Sequence, residues 1–308
     1  MAFIGSLPGA VAQGLIWGLM AIGVYVSYKI LDIADLTVDG SICTGGCVCA
    51  VMITAGIPAW ISIIVAFIAG ALTGTMTGLF HTALGIPSIL AGILSQLMLY
   101  SINLAILSGR SLVSFVGGDY NLMLSMSDNI SAIFVLAALI VATIIILWLF
   151  FYTEVGLTLK STGDNPDMSR AQGVNVNFNK VLGLAISNGI VALAGALLVQ
   201  YKGSANINDG RGAIVIGLAA IFIGLSVSLK IKPNFVVSLI GVIGGGIVYY
   251  IIYNFVILLG LKTDYLKMLS AIIVAIFLAV PYLKAKYFTK QKIAPLAANE
   301  SAGGDTDA

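Results

Sequence analysis

Apolar stretches of about 20 residues alternate with short polar segments along most of the chain. An α-helix of that length crosses the hydrocarbon core of a bilayer, so the pattern is typical of a polytopic membrane protein. We therefore predict an all-α fold with about nine membrane crossings. The predicted crossings are residues 9–31, 42–57, 58–80, 87–108, 130–152, 180–201, 213–229, 235–259 and 265–283.

Most of the chain forms one membrane domain in this interpretation. Residues 1–290 hold the predicted crossings, in halves of about 1–128 and 129–290, with a long polar loop at 153–179. Residues 291–308 are rich in Ala, Gly and Asp and show no apolar period. Such a segment cannot bury enough apolar surface to order itself, so we predict a disordered cytoplasmic tail.

Composition supports the membrane interpretation. The 308 residues are 59% hydrophobic and 9% charged, whereas soluble proteins carry about 25% charged residues. A soluble fold of this length would lack the polar surface to cover itself. This excludes an ordinary cytosolic enzyme, a disordered protein and a coiled coil. The net charge of +2 gives no indication of a nucleic-acid partner.

Lysine and arginine residues predict the orientation. An odd number of crossings places the two ends of the chain on opposite sides. With the C-terminus inside, ten of the 15 Lys and Arg residues lie in inner loops and five in outer loops, as the positive-inside rule requires. We expect the N-terminus outside and residues 153–179 in the cytoplasm. Residues 1–28 contain no Lys or Arg, so no cleavable signal peptide is expected.

Two predicted crossings are short, and each follows a polar segment. Residues 42–57 follow the polar segment 32–41, and residues 213–229 follow the polar segment 203–212. Non-helical backbone at membrane depth is tolerated only inside protein or beside a cavity. The Asp-Gly pairs at Asp39 and Asp209 are 170 positions apart and lie on helices of opposite direction. We therefore predict an inverted internal repeat built on broken helices.

Several polar side chains are candidates for the lining of a translocation path. Asp39 and Asp209 each precede a short helix, where a carboxylate either caps free N–H groups or lines the path, and both roles are compatible. For the other intramembrane polar residues the competing interpretation is helix–helix hydrogen bonding. We expect Asp35 at the inner surface without a role. The candidates for the path are Asp39, Ser41, Thr44, Gln96, Asn188 and Asp209.

Metal or enzymatic chemistry has little support in the sequence. Cys43, Cys47 and Cys49 form a C-x3-C-x-C cluster with too few ligands for tetrahedral zinc, so we interpret them as small packing residues. His81 is the one histidine and is expected on an inner turn. No acid–base constellation predicts a membrane enzyme, and no charged ring or filter predicts a channel.

The longest inner loop reads as two short helices. The break falls at Gly163-Asp-Asn-Pro166, where Pro suits the first turn of a helix and where Asp167 and Ser169 support the second start. One interpretation is an amphipathic element that docks on a soluble partner. The other is a plain solvated loop.

Two motifs carry a resemblance to a known family. The stretch GLTLKSTGDNPDMSRAQGVN, from Gly156 to Asn175, resembles the coupling-helix region of ABC importer permeases of the branched-chain amino-acid/ribose permease family. The stretch LTVDGS, Leu36 to Ser41, followed by Gly45 and Gly46, resembles that family's first broken helix. The resemblance covers about residues 10–285 and is nearest to the amino-acid subgroup, in which some members are linked to tryptophan or tyrosine uptake.

The resemblance implies a type II-like permease that works with partners. These are a second permease copy in a homodimer, two cytoplasmic ATPase subunits, an extracytoplasmic binding protein and the lipid of a bacterial plasma membrane. Because the chain contains no G-x-x-x-x-G-K-[ST] phosphate loop, it is not expected to be an enzyme or to hold a cofactor; ATP and Mg²⁺ would bind the partner ATPase. The coupling residues implied are Gly156, Gly163, Asp164, Asn165, Pro166, Arg170, Ala171 and Gly173.

The implied activity is import of a small solute by alternating access, with an aromatic amino acid as the first candidate. Because no Lys or Arg lies within a predicted crossing, we expect a path of small and apolar side chains that binds substrate weakly. Selectivity would then reside largely in the binding protein. The alternatives are an ABC importer for a sugar or nucleoside, and an ion-coupled secondary transporter, which would need no ATPase.

Overall fold

The computed structural model describes residues 2–115, 120, 122–126, 128–228, 234–258 and the positions 268, 271–272, 274–275 and 279. Helices dominate these residues, and two short strands accompany them. The helices are α1 (Ala2–Tyr25), a π-helical turn (Val26–Ile30), α2 (Val38–Thr54), α3 (Ala59–Thr82), α4 (Ser88–Ile106), α5 (Asn129–Tyr152), α6 (Glu154–Asp164), α7 (Pro166–Ala171), α8 (Val176–Lys202), α9 (Ala213–Ser228) and α10 (Phe235–Leu258). The strands are β1 (Leu112–Ser114) and β2 (Ser204–Asn206).

Six helices within the described ranges are long and apolar enough to cross a membrane: α1 with its π-helical turn, α3, α4, α5, α8 and α10. Two shorter apolar helices, Val38–Thr54 and Ala213–Ser226, match the two predicted short crossings. These eight elements account for the first eight crossings predicted from the sequence. The predicted ninth crossing, 265–283, lies outside the described residues except for isolated positions, and the tail 291–308 lies outside them entirely.

One boundary differs from the prediction in a way that matters. Helix α2 begins at Val38 and ends at Thr54, whereas the sequence predicts a crossing from residue 42 to residue 57. The Asp39-Gly40 pair therefore lies in the first turn of α2 and not before it. With 17 residues, α2 is roughly 25 Å long, less than the hydrocarbon core of about 30 Å.

Helices α1 and α8 form the centre of the fold. Within their most apolar stretches 83% and 72% of the residues are buried, against 28% for α4 and 22% for α5. Helices α4 and α5 thus lie at the periphery and expose apolar faces.

Glycine faces let the central helices approach closely, as the spacing of the glycines predicts. On α3, a Cβ atom at Gly74 would overlap the Leu184 carbonyl of α8. On α1, a Cβ atom at Gly14 would lie 2.7 Å from the Ile247 Cα of α10. Backbones pack this closely in membrane proteins because small residues leave room for van der Waals contact.

The two halves of the chain exchange helices in the same manner. Helix α3, which follows the first short helix, packs on α8, and α10, which follows the second short helix, packs on α1. The short helices α2 and α9 also contact each other. Each half therefore completes its packing with the long helix that precedes the short helix of the other half.

A small antiparallel sheet links the loops that follow α4 and α8. Strand β1 pairs with β2 in the register Leu112↔Asn206 and Ser114↔Ser204. Gly203 ends α8 with φ +70°, a left-handed conformation that glycine adopts without a steric cost. The sheet and this turn direct the polar segment 203–212 back towards the first turn of α2.

Candidate functional site

The first turns of the two short helices meet inside the protein. The Asp39 carboxylate, on α2, accepts backbone N–H bonds from Gly212 and Ile214 at the start of α9, each 2.9 Å long. Free N–H groups at a helix start need such partners, and the helix dipole favours a negative charge there. The sequence led us to expect that Asp39 caps its own helix, but the helix that it caps is α9.

The Cys43 thiol holds the polar segment 203–212 against α2. Its Sγ accepts the Gly210 N–H at 3.1 Å and donates to the Ile207 carbonyl at 3.3 Å. Cys43, Cys47 and Cys49 are buried free thiols. Among the described residues no three His, Cys, Asp or Glu side chains are grouped to hold a metal ion. The geometry agrees with a packing role for the cysteines.

Asp209 has a local role, different from that of Asp39. Its Oδ1 lies 3.2 Å from the Lys202 ammonium, and its Oδ2 accepts the Asn206 N–H at 3.2 Å. The carboxylate thus closes the turn that precedes α9 and leaves the α9 cap to Asp39. The two Asp-Gly pairs look alike in sequence but differ in their contacts.

A cavity of about 380 Å³ opens beside the α2–α9 junction. It combines one acidic side chain, one basic side chain, two amides and a phenol ring with apolar groups. Its lining residues are Asp39, Gly40, Cys43, Ile93, Gln96, Leu97, Tyr100, Asn103, Ile207 and Arg211. Of the predicted path residues, Asp39 and Gln96 line this cavity.

Two polar groups in the cavity lack partners among the described residues. Asn103 is only 1% exposed, and its Nδ2 donates to the Gly40 carbonyl at 3.4 Å, but its Oδ1 accepts no hydrogen bond. The Arg211 guanidinium forms no ion pair or hydrogen bond with any residue that the structure describes. Buried polar atoms are normally satisfied, so the Asn103 Oδ1 is the unusual group of the two, whereas Arg211 is exposed and needs no partner within the protein.

Arg211 and Asn103 line the cavity but are not among the predicted path residues. Arg211 lies within the polar segment 203–212, which the sequence places in an outer loop, and only the fold of that segment brings it to α2 and α4. Its presence beside Asp39 also changes the expected character of the path. The lining is not merely small and apolar, because it contains a charge of each sign.

Three other predicted path residues lie in a buried hydrogen-bond network beside this cavity. The Ser41 hydroxyl donates to Asn188 Oδ1 at 2.6 Å and lies 2.7 Å from the Thr73 hydroxyl. The Thr44 hydroxyl donates to the Gly40 carbonyl within α2. Ser41, Thr44 and Asn188 are buried and are not among the residues that line the cavity. Ser41 and Asn188 thus form helix–helix contacts, whereas the bond of Thr44 lies within α2.

Asp35 is the centre of that network, and not an idle residue at the inner surface. The residue is 3% exposed. Its Oδ1 accepts the Thr37 N–H at 2.9 Å and its Oδ2 accepts Asn188 Nδ2 at 2.6 Å. The Asp-x-Thr spacing is the local sequence signal, since an Asp side chain often bonds the N–H two residues on. The partner Asn188 is 153 positions away and has no such signal.

The long polar loop at 153–179 forms the two predicted helices, α6 and α7. Thr153 caps α6 through the Gly156 N–H at 3.2 Å, and Asn165 caps α7 through the Met168 N–H at 3.0 Å. Pro166 occupies the first turn of α7, where its missing N–H costs nothing. The second start thus rests on Asn165, whereas we expected Asp167 and Ser169 to support it.

The predicted coupling residues fall into two groups. Gly156 lies against the Phe150 backbone and Gly163 against the Ile30 carbonyl, so both glycines seat α6 on neighbouring helices. Gly173 ends the pair with φ +83°. The other predicted coupling residues are exposed: Asp164, Asn165, Pro166, Arg170 and Ala171.

Apolar side chains accompany these exposed polar groups. Met168 is 60% exposed and Leu157 is 56% exposed. The α6–α7 pair thus exposes large apolar side chains among polar ones.

Comparisons with known proteins show the family of the chain. The family model described as "Branched-chain amino acid transport system / permease component" matches residues 7–280. A tyrosine transport system permease protein of Clostridioides difficile is 36% identical over 274 residues, covering 89% of this chain and 90% of that protein. An uncharacterized protein of Rickettsia prowazekii is 34% identical over 274 residues, covering 88% of this chain and 95% of that protein.

A ribose import permease protein of Haemophilus influenzae is 22% identical over 286 residues, covering 92% of this chain and 87% of that protein. No solved structure matches the chain. The family model covers well over half of the chain, and the relatives match along nearly their full length. The chain therefore belongs to the family of branched-chain amino acid transport system permease components, which transport solutes and are not themselves enzymes.

Proposed function

We propose that this protein is the permease subunit of a binding-protein-dependent ABC importer for an amino acid, with an aromatic one such as tyrosine or tryptophan as the first candidate. The observation that carries the proposal is the α6–α7 pair, which exposes Met168 and Leu157 outward while Gly163 fixes α6 to the end of α1. A projecting element tied to the membrane helices is what an external ATPase needs to drive them. The tyrosine permease among the relatives supports the substrate class.

The coupling route begins at the contact between α6 and the π-helical turn. Gly163 lies against the Ile30 carbonyl, and the polar segment that carries Asp35 follows Ile30 directly. ATP-driven closure of two partner ATPases, which hold the ATP and Mg²⁺, would push on α6. The push would reach the α2–α9 junction through this segment and open the cavity alternately to each side.

A second copy of the chain completes the path in this proposal. Helix α4 exposes Ile93, Leu97 and Tyr100, and the cavity with Asp39 and Arg211 opens beside them. A charged group facing hydrocarbon carries a high free-energy cost. A homodimer formed through α4 would cover the cavity with protein, while the exposed face of α5 would contact lipid.

The topology belongs to the same proposal. The exchange of α3 and α10 between the halves is the packing expected of an inverted repeat. We propose nine crossings in a bacterial plasma membrane, with the N-terminus outside, the C-terminus and α6–α7 in the cytoplasm, and an extracytoplasmic binding protein that delivers the substrate.

Affinity purification of the tagged chain from its native membrane in mild detergent tests the proposal. We expect stoichiometric recovery of an ATPase, identified by mass spectrometry, and uptake that requires ATP hydrolysis. Recovery of the chain alone, with uptake driven by an ion gradient, would contradict the importer and favour a secondary transporter. A sugar or nucleoside bound by the associated binding protein would refute the amino-acid assignment.

The α6–α7 pair gives a second test. Asp164→Lys or Ala171→Pro is expected to abolish uptake while expression in the membrane stays unchanged, because each change disturbs the exposed docking element and no membrane helix. Glu300→Lys, in the tail, is the matched charge reversal and should leave uptake intact. Unchanged uptake in both α6–α7 variants would rule out this element as the coupling site.

A further inference from the structure

The cavity beside the α2–α9 junction contains one fixed charge of each sign. Asp39 and Arg211 both line it, yet they form no ion pair with each other. We propose that this cavity is a subsite for the zwitterionic part of an amino acid, with the α-carboxylate on Arg211 and the α-ammonium on Asp39 and Asn103. The proposal rests on the function proposed above and deepens it.

The acceptors for the ammonium are already in place. The Asp39 carboxylate uses two acceptor positions for the Gly212 and Ile214 N–H groups, and an ionised carboxylate offers about four. Asn103 Oδ1 is buried and accepts no hydrogen bond from any described residue. An ammonium has three N–H donors and no acceptor, so it matches this set of acceptors.

The donor for the carboxylate is Arg211. A planar guanidinium binds a carboxylate through two parallel hydrogen bonds, and that of Arg211 has no partner in the described part of the chain. Asp39 would repel an anion that lacks an ammonium, and Arg211 would repel a cation that lacks a carboxylate. The cavity therefore favours a ligand with both groups over a ligand with either one.

A neighbouring acid–base pair differs from Asp39 and Arg211 because its two charges form an ion pair. Lys202, the last residue of α8, and Asp209, on the polar segment, lie 3.2 Å apart and neutralise each other. Asp39 and Arg211 have the same charges but leave them available. Only the second pair lines the cavity.

The rest of the cavity suits a side chain. Ile93, Leu97 and Tyr100 supply apolar and aromatic surface on α4. A volume of about 380 Å³ lies within the range of small-molecule sites. A free sugar, which has hydroxyl groups but no charges, would leave Arg211 without a counter-ion.

Ligand-observed NMR on the purified chain in nanodiscs tests the subsite without the binding protein. The probes are L-tyrosine, tyramine, which lacks the carboxylate, and 3-(4-hydroxyphenyl)propionate, which lacks the ammonium. We expect L-tyrosine to bind about tenfold more tightly than either analogue. Arg211→Gln should remove this advantage over tyramine, because L-tyrosine loses its carboxylate partner while tyramine, freed of the repulsion by Arg211, binds equally well or more tightly.

Arg110→Gln is the matched control, because Arg110 is exposed and lies outside the described cavities. It should leave all three Kd values unchanged. Equal binding of the three probes, or equal weakening of all three by Arg211→Gln, overturns the subsite. ATP-driven tyrosine uptake by the complete transporter, measured in parallel, reports on the proposed function separately. Uptake that persists while the probes bind equally would refute the subsite alone.

Discussion

Asp35 and Asp39 lie four positions apart and have opposite surroundings. Asp35 is buried, accepts hydrogen bonds from Thr37 and Asn188, and does not line the cavity. Asp39 caps a distant helix and borders the cavity that also contains Arg211. Both carboxylates accept two hydrogen bonds from the described residues, so the difference lies in access and not in the number of bonds. Asp35 is 3% exposed and lines no described cavity, whereas Asp39 borders a cavity that also holds a residue of opposite charge.

The largest effect is expected from a substitution in the buried hydrogen-bond network of Asp35, Asn188 and Ser41. Asn188→Leu removes the amide that donates to Asp35 and accepts from Ser41. Loss of a hydrogen bond to a buried acidic group costs about 1.5–3 kcal/mol, and Ser41 loses its acceptor as well, so we expect less folded protein, measured by monodisperse yield and thermal unfolding in detergent. Gln96→Leu, at the cavity, is the control and should fold. Normal stability of Asn188→Leu would contradict the structural role of Asp35.

Replacing Asp39 separates its two roles. Asp39→Ala loses the α9 cap and the cavity charge, so we expect about 1–2 kcal/mol of destabilisation together with loss of uptake. Asp39→Asn keeps one of the two capping oxygens, turns an NH2 donor towards the other backbone N–H and removes the charge, so the unfolding temperature should fall no further than in Asp39→Ala while uptake is also lost. Both are measured on the same membranes. Normal uptake by Asp39→Asn would show that capping is the sole role of Asp39.

A smaller effect, of opposite sign for stability and binding, is expected at Asn103. Its Oδ1 is buried without a partner, and an unsatisfied acceptor costs about 1–3 kcal/mol. Asn103→Leu should therefore preserve or raise the unfolding temperature while it weakens the binding of tyramine. Tyramine affinity reports on this change because tyramine carries the ammonium alone. A destabilised variant with unchanged binding would mean that Asn103 serves the fold.

The smallest effect is expected at the ion pair between Lys202 and Asp209. Lys202 and Asp209 are partly exposed, 36% and 23% by side chain, and such pairs contribute less than about 1 kcal/mol. Lys202→Gln should change neither uptake nor the Kd of L-tyrosine. A loss of binding similar to that of Arg211→Gln would show that Lys202, although paired with Asp209, matters for binding as much as Arg211 does.

Much of the fold could be predicted from the apolar pattern and from local motifs. The six helices long enough to cross a membrane, the two shorter apolar helices and the helix break at Gly163–Pro166 depend on short-range sequence, because helix length and caps are local properties. The prediction starts the crossing of α2 at residue 42 because Asp39 and Gly40 do not continue the apolar pattern. The helix starts at Val38 in the structure, since the helix dipole tolerates Asp in a first turn.

The candidate site was predicted only in part. Gln96 and Asp39 stood out as polar residues in apolar surroundings. Arg211 did not, because it lies in a polar segment of a predicted outer loop. Ser41, Thr44 and Asn188 stood out for the same reason as Gln96, but the structure gives them partners inside the protein. Polarity within a crossing identifies a residue that needs a partner, and it does not identify the partner.

The sequence by itself determined that the chain is a polytopic membrane protein with two short apolar helices and a polar loop that forms two helices. These features follow from composition and from patterns shorter than a helix. Only the tertiary structure decided that Asp39 caps α9, 173 positions away at Gly212, that Asp35 is sealed by Asn188, and that Arg211 meets Asp39 at a cavity. The physical reason is that hydrogen bonds and charge pairs form between neighbours in space, and the packing of α1, α2, α8 and α9 alone makes these residues neighbours.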